Sequence, residues 1–184
     1  MDLYARATAQ TRQLVAGIKP DQWTGPTPCT EWDVRQLVNH LVFENLWVGE
    51  LLQGKTIAEV GDRFSGDVLD NDPLDSFDKA LKTAKGAVDA PGAMETTCHV
   101  SYGDVPGSAY ISEIFNDFLI HGWDVAKATG QSTTLDPDLV SATYEMLEPR
   151  KEKIRASGVF GTEVPVPPDA DLQTKLLALL GRRV

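Results

Sequence analysis

Two of the three histidines in the sequence fall in segments whose apolar residues recur at helical spacing. His121 follows Asp117 by four residues, so on a helix the two side chains lie one turn apart on the same side. His40 borders the apolar stripe of a second predicted helix, and Glu44 follows it by one turn. If the two helices pack together, parallel or antiparallel, both imidazoles and the Asp117 carboxylate meet near the bundle axis. These three residues are therefore a candidate site for a divalent metal ion.

The donor atoms of this trio limit the chemistry without choosing one metal. Two imidazole nitrogens and one carboxylate suit zinc and leave a position open for water or substrate. The same donors suit nickel, manganese and iron. Each histidine also needs an acceptor for its other ring nitrogen, for which Asp124, Glu44 and Asn39 are candidates. The competing interpretation is a half-exposed histidine at a stripe border, with Asp117 as its local ion-pair partner.

Apolar periodicity, caps and chain breakers predict helices as the elements that position these residues. The helices are predicted over residues 1–18, 30–53, 73–88, 108–129 and 137–156, with a short terminal helix that Asp169 or Asp171 caps and that ends at Leu180. The helix that carries His40 is predicted to have Thr30 as its N-cap and Asp33 as the capping-box partner. Pro149 should interrupt the fifth helix.

The segments between these helices are predicted to be irregular. Residues 55–72 look like a loop, residues 93–107 like a short hairpin or a long loop, and residues 158–169 like a proline-rich surface loop. The expected fold is all-α, a bundle of four main helices with one long crossover connection. We expect one domain over residues 1–184, with the core bundle in about 1–130 and a short C-terminal extension in about 131–184.

Composition excludes several classes of partner. The chain has 17 Lys and Arg against 27 Asp and Glu, a net charge of -10, which disfavours nucleic acid and anionic lipid surfaces. No apolar run is long enough to span a membrane, and the N-terminal residues have no apolar signal-peptide core. Its two cysteines have no zinc-finger or CxxC spacing. These features favour a cytoplasmic protein.

Other residues with chemical potential have simpler interpretations. Cys29, just before the predicted helix start, is a candidate nucleophile but more simply a small packing residue. Cys98 and His99 are adjacent, so on a strand they face opposite ways and do not form a catalytic pair. Arg35 is a candidate for binding an anionic ligand, with a surface ion pair to Glu31 as the alternative.

The tryptophans are a further group with two interpretations. For Trp32, Trp47 and Trp123, the sequence allows two roles: lining a substrate pocket near the metal, or ordinary packing in the protein.

Two long segments carry a resemblance to a known family. Residues 23–42, WTGPTPCTEWDVRQLVNHLV, resemble the actinobacterial DinB-like proteins, and more closely the mycothiol-dependent maleylpyruvate isomerase N-terminal-domain family. Residues 117–130, DFLIHGWDVAKATG, resemble the second signature of that family, a His-x-Trp-Asp block ahead of Ala-x-Ala-x-Gly. The C-terminal segment is similar to that of one subfamily of uncharacterised members.

The resemblance implies a DinB-type four-helix bundle that binds a metal ion through His40, Asp117 and His121. The isomerase pattern has Glu at the position of Asp117, which could change metal choice or affinity. The implied activity is a metal-dependent, mycothiol-type S-transfer to, or isomerisation of, a small electrophile, with Glu44 or Asp124 as candidate base and Arg35 as candidate cofactor-binding residue. The alternative is a non-catalytic metal- or ligand-binding bundle with a vestigial site. The expected partners are the thiol and the electrophile. Whether the chain forms a homodimer is left undecided by the sequence.

Overall fold

The computed structural model describes residues 2–157 and 161–184, which are mostly helical with one two-stranded sheet. The chain divides into two compact units, one that ends at Ser132 and one that begins at Thr133. The helices of the first unit are α1 (Asp2–Ala16), α2 (Val34–Leu51), α3 (Ile57–Val60), α4 (Pro73–Val88) and α5 (Gly107–Thr129). That residues 1–184 act as a single domain stays a prediction.

The packing of the first unit brings α2 and α5 into contact. α2 packs chiefly against α4 and also against α5, while α1 packs against α5 and α4. The core between these helices is apolar, and its largest fully buried side chains include Leu37, Leu41, Phe77, Phe115 and Phe118. Burial of such residues is the main stabilising contribution to a helical fold of this kind.

The sheet corrects the expectation of an all-α fold. β1 (Thr97–Val100) and β2 (Gly103–Pro106) pair in antiparallel register, with Cys98 opposite Val105. Of the two alternatives for residues 93–107, the hairpin is the right one. Gly103 allows the tight reversal because its φ of 132° is a value that other residues rarely adopt. The chain is therefore mostly helical with one small hairpin.

The start of α2 also differs from the prediction. Asp33, not Thr30, is the N-cap, and it forms a capping box with Gln36 in which each side chain accepts a backbone N–H of the other residue. The chain before Asp33 cannot be helical because the backbone N–H groups of Val34 and Arg35 donate back to the loop at residues 25 and 23. A capping box is present as predicted, but its N-cap is Asp33, three residues after Thr30.

The other helix boundaries of this unit lie close to their predicted positions, and the structure contains one additional helix, α3. α4 begins after Asp72 with Pro73 in its first turn, and α5 ends at Gly130, whose left-handed backbone (φ 67°) closes the helix. The 55–72 segment was predicted to be a loop throughout, but it contains the single-turn helix α3, which Thr56 and Glu59 cap.

The second unit contains α6 (Pro137–Leu147), a 3₁₀ turn (Glu148–Arg150), α7 (Lys151–Ser157) and α8 (Leu172–Leu179). The 3₁₀ turn contains Pro149, which confirms the predicted interruption, and Asp171 is the N-cap of α8. Within this unit α6 packs against α8. Residues 158–160 of the predicted proline-rich loop lie outside the described residues, and 161–169 have no regular helix or strand. None of the described helices has the length and apolar character that crossing a membrane requires.

Candidate metal site

The contact between α2 and α5 brings His40, Asp117 and His121 together. Nε2 of His40 lies 2.9 Å from Oδ2 of Asp117, and Nε2 of His121 lies 3.4 Å from Oδ1 of the same carboxylate. The potential ligand atoms of the three residues all lie within 4.8 Å of one another. Two imidazoles and a carboxylate from two helices thus lie close enough together to hold one divalent metal ion. Their role as ligands stays a prediction.

The protonation states of Asp117 and His121 depend strongly on each other. Burial alone would raise the pKa of Asp117, but the charge of His121 and the hydrogen bonds from both imidazoles lower it well below its usual range. Burial alone would likewise lower the pKa of His121, but the Asp117 charge and hydrogen bonds to Asp117 and Asp124 raise it to about 9. Without a metal ion, a proton on His121 therefore compensates the half-buried Asp117 carboxylate.

Asp124 holds the other ring nitrogen of His121. Its Oδ2 lies 3.0 Å from Nδ1 of His121, and its side chain is completely buried. An acceptor at Nδ1 fixes the ring so that Nε2 faces Asp117. Asp124 was one of three predicted candidates for this position. Because it is sealed inside the protein, it is placed to orient His121 and not to reach a substrate.

Glu44 is the acidic neighbour of His40. Its Oε1 lies 3.9 Å from Nδ1 of His40, one turn along α2, and its side chain is only 22% exposed. Burial, followed by the charge of Asp117, raises the pKa of Glu44 to about 7, against the opposing charges of the histidines. Asn39, the third predicted partner for a histidine, instead binds the backbone of Gly66 and Val68.

The three tryptophans that sequence analysis singled out have different surroundings. Trp32 packs against both imidazoles, with ring centroids 4.6 Å from His40 and 5.6 Å from His121. Trp123 is completely buried in the core. Trp47 lies against Phe43 and Phe64. Only Trp32 therefore forms part of the candidate site.

A surface cavity of about 440 Å³ opens beside His40 along α2. Its lining comprises Trp32, Arg35, Gln36, Asn39, His40, Phe43, Gly66 and Asp67. Arg35 does line the cavity, but its predicted ion pair with Glu31 is wrong. Its Nη2 instead donates to Oδ2 of Asp67 at 2.8 Å. Since α2 begins only at Val34, Glu31 precedes the helix.

Asp67 and the loop around it are the part of this region that sequence analysis missed. The segment 66–68 lies over α2 because Asn39 binds it and Arg35 pairs with Asp67. Gly66 has a φ of 88°, which suits glycine alone at a sharp turn. The Ser-Gly-Asp triplet was a turn signal, but nothing local indicated which helix the turn would cover.

The cysteines and His99 lie outside the candidate site. Cys29 is half-buried and lies four residues before the Asp33 N-cap, so it is not at a helix N-terminus as predicted. Cys98 is buried, with Sγ 3.5 Å from the carbonyl oxygen of Leu51, while His99 lies 2.7 Å from Asp104 of the neighbouring strand. Cys98 and His99 thus have different surroundings, as expected for neighbours on a strand.

Comparison with known proteins supports the resemblance found in the sequence. Residues 4–126, which include all three candidate ligands, match the family described as the mycothiol maleylpyruvate isomerase N-terminal domain. Two uncharacterized proteins of Mycobacterium tuberculosis, from strains CDC 1551 and H37Rv, are each 35% identical to this chain over 186 residues. These alignments cover 98% of this chain and 96% of each relative. No solved structure gives a significant match.

Proposed function

This chain belongs to the mycothiol maleylpyruvate isomerase N-terminal domain family, and we propose that it is a metal-dependent enzyme that uses a small thiol of the mycothiol type. The reaction is S-transfer to a small electrophile, or isomerisation of that electrophile. The observation that carries the proposal is the convergence of His40, Asp117 and His121 beside a surface cavity. We also propose that α1, α2, α4 and α5 form a DinB-type four-helix bundle, because each packs against at least two of the others.

The donor set of the trio fits a divalent metal ion. Two imidazole nitrogens and a carboxylate oxygen suit zinc best, and nickel, manganese and iron are the other candidates. The buried Asp124 presents Nε2 of His121 toward Asp117, as the outer partner of a metal-binding histidine does. When bound there, the ion would stabilise the thiolate form of a thiol at neutral pH.

Glu44 is the residue that we assign to proton transfer. A carboxylate beside the metal site can accept the proton that a thiol releases on binding. Glu44 is partly exposed and lies next to His40. Asp124 has no such access and is assigned to the positioning of His121.

The test is a purification without chelator or nickel resin, followed by elemental analysis and an assay for electrophile loss with a panel of thiols. We expect bound metal and thiol-dependent turnover, both lost in His121→Ala and both kept in His99→Ala, which removes a histidine outside the site. Stoichiometric binding without turnover would favour the alternative, a binding module with a vestigial site. A protein that binds no metal would overturn the proposal.

A further inference from the structure

The cavity beside His40 has aromatic walls and a short stretch of polar lining. Trp32 and Phe43 provide the aromatic surface, and Trp32 also packs on the His40 ring. Flat, conjugated molecules pack well against such rings. The charged residues of the lining determine which ligand charge the cavity favours.

The positive charge of Arg35, a lining residue, is already paired with the carboxylate of Asp67. Nε and Nη2 of Arg35 both donate to Oδ2 of Asp67, at 3.2 and 2.8 Å. The other carboxylate oxygen, Oδ1, accepts the backbone N–H of Leu69 at 2.9 Å. The hydrogen bond from Arg35 and then that from Leu69 lower the pKa of Asp67, so this carboxylate is ionised at neutral pH. An incoming carboxylate would therefore have to displace Asp67 from Arg35 or lie beside the Asp67 carboxylate, whose side chain is 58% exposed.

The amide groups of the lining add no charge to the cavity. Asn39 is engaged on both sides, because Nδ2 donates to Gly66 and Oδ1 accepts from Val68. Gln36 uses its Oε1 to accept the backbone N–H of Asp33. Its amide N–H groups can then donate to an oxygen of a ligand, whatever the charge of that ligand, so Arg35 and Asp67 set the charge preference.

The neighbouring metal site already contains a carboxylate, Asp117, which lies between the imidazoles of His40 and His121. The chain as a whole has a net charge of -10, which further disfavours the approach of an anion.

On this basis, and resting on the proposed function, we propose that the cavity selects an uncharged planar electrophile and rejects one that carries a carboxylate. Asp67 is the residue that sets this preference. A carboxylate on the ligand and the Asp67 carboxylate repel each other, which opposes binding. A neutral ring leaves the Arg35–Asp67 pair intact.

The first arm of the test measures binding without turnover. Equilibrium dialysis compares dinitrobenzene with dinitrobenzoate, the same ring with a carboxylate. We expect the neutral ring to bind wild type about threefold more tightly, because solvent screens the half-exposed charge of Asp67. Asp67→Asn keeps an oxygen for the Leu69 N–H and removes the charge, so it should strengthen dinitrobenzoate binding by about threefold and change dinitrobenzene binding by less than about 1.5-fold.

Asp78→Asn is the matched control. Asp78 also pairs with an arginine, Arg12, but lies outside the cavity. Its loss should leave both affinities unchanged. Equal binding of the two rings to wild type, no binding of either ring, or no effect of Asp67→Asn would each overturn the inference.

The second arm measures turnover of chlorodinitrobenzene and chlorodinitrobenzoate with mycothiol, each relative to its uncatalysed rate. In this reaction the sulfur–carbon bond forms, the carbon–chlorine bond breaks, chloride leaves with the bonding pair, and the thiol proton passes by way of Glu44 to solvent. Faster acceleration of the neutral substrate is expected, and equal acceleration of both would overturn the inference. A preserved binding preference with no turnover of either would support the inference and count against the proposed enzyme.

Discussion

Nε2 of His40 lies 2.9 Å from Oδ2 of Asp117, although 77 positions separate the two residues in the sequence. Only the packing of α2 against α5 brings these atoms together. A ligand that binds both residues must therefore bind the folded protein far better than the unfolded chain, which links metal binding to stability.

Added zinc or nickel should raise the melting temperature of the metal-free protein. At a free metal concentration of about 100 times Kd, mass action predicts a gain of about 2.7 kcal/mol, or roughly 5–10 °C for a domain of this size. His121→Ala should abolish the gain because it removes one of the two nitrogen ligands. His99→Ala is the control and should keep the gain. If the two variants behave alike in a thermal unfolding assay, His121 is not a ligand.

The stability of the metal-free protein should fall as pH rises from about 6.5 toward 9. Because the folded-state pKa of His121 is raised to about 9, its contribution is complete below the unfolded histidine pKa of about 6.5 and is lost above it. The lowered pKa of Asp117 has the opposite sign, so its contribution is present above about pH 4 and is lost as pH falls. Thermal unfolding in chelator should show this alkaline decline. His121→Gln should flatten it, and His99→Gln should not. A wild-type melting temperature that stays level up to pH 9 would contradict the prediction.

Asp124→Asn should weaken metal binding without removing a ligand. Loss of the charged acceptor at Nδ1 frees the orientation of His121, and changes of this kind cost about 10- to 100-fold in metal affinity. The measurement is a competition titration with a chromophoric chelator. Asp104→Asn, which removes the exposed acceptor of His99, is the matched control. An unchanged affinity in Asp124→Asn would mean that the ring is held by packing alone.

Cys29→Ala should retain thiol-dependent turnover. Cys29 is half-buried, lies four residues before the α2 N-cap and is not among the residues of the candidate metal site. Its removal should cost less than about 2 kcal/mol, whereas Cys98→Ala removes a fully buried side chain and should cost more. Turnover and chemical denaturation are measured on both variants. Loss of turnover in a stable Cys29→Ala protein would identify Cys29 as a nucleophile.

Local sequence was sufficient for two of the three residues of the candidate site. Asp117 and His121 are one turn apart on a long, strongly apolar helix, so helical spacing alone placed them together. The addition of His40 depended on which helices pack together, a long-range property that periodicity does not contain. The two family-like segments indicated the association, and the packing of α2 on α5 places His40 there.

The errors share a common physical cause. Thr30 was a sound N-cap by residue type, but loop hydrogen bonds from Val34 and Arg35 keep the preceding chain out of the helix. The partner of Arg35 was sought nearby at Glu31, whereas the chain folds back to supply Asp67 from 32 residues away. In both cases a tertiary contact outweighed a local preference that is worth only about 1 kcal/mol.

The packing of Trp32 on both imidazoles gives the site an optical signal of its own. An indole so close to His40 and His121 should lose fluorescence when a paramagnetic ion such as cobalt or nickel enters, and much less when zinc does. Because Trp32 is the indole that packs on these imidazoles, Trp32→Phe should remove most of this response. The protein can thus report the arrival and the identity of its ion without any added dye.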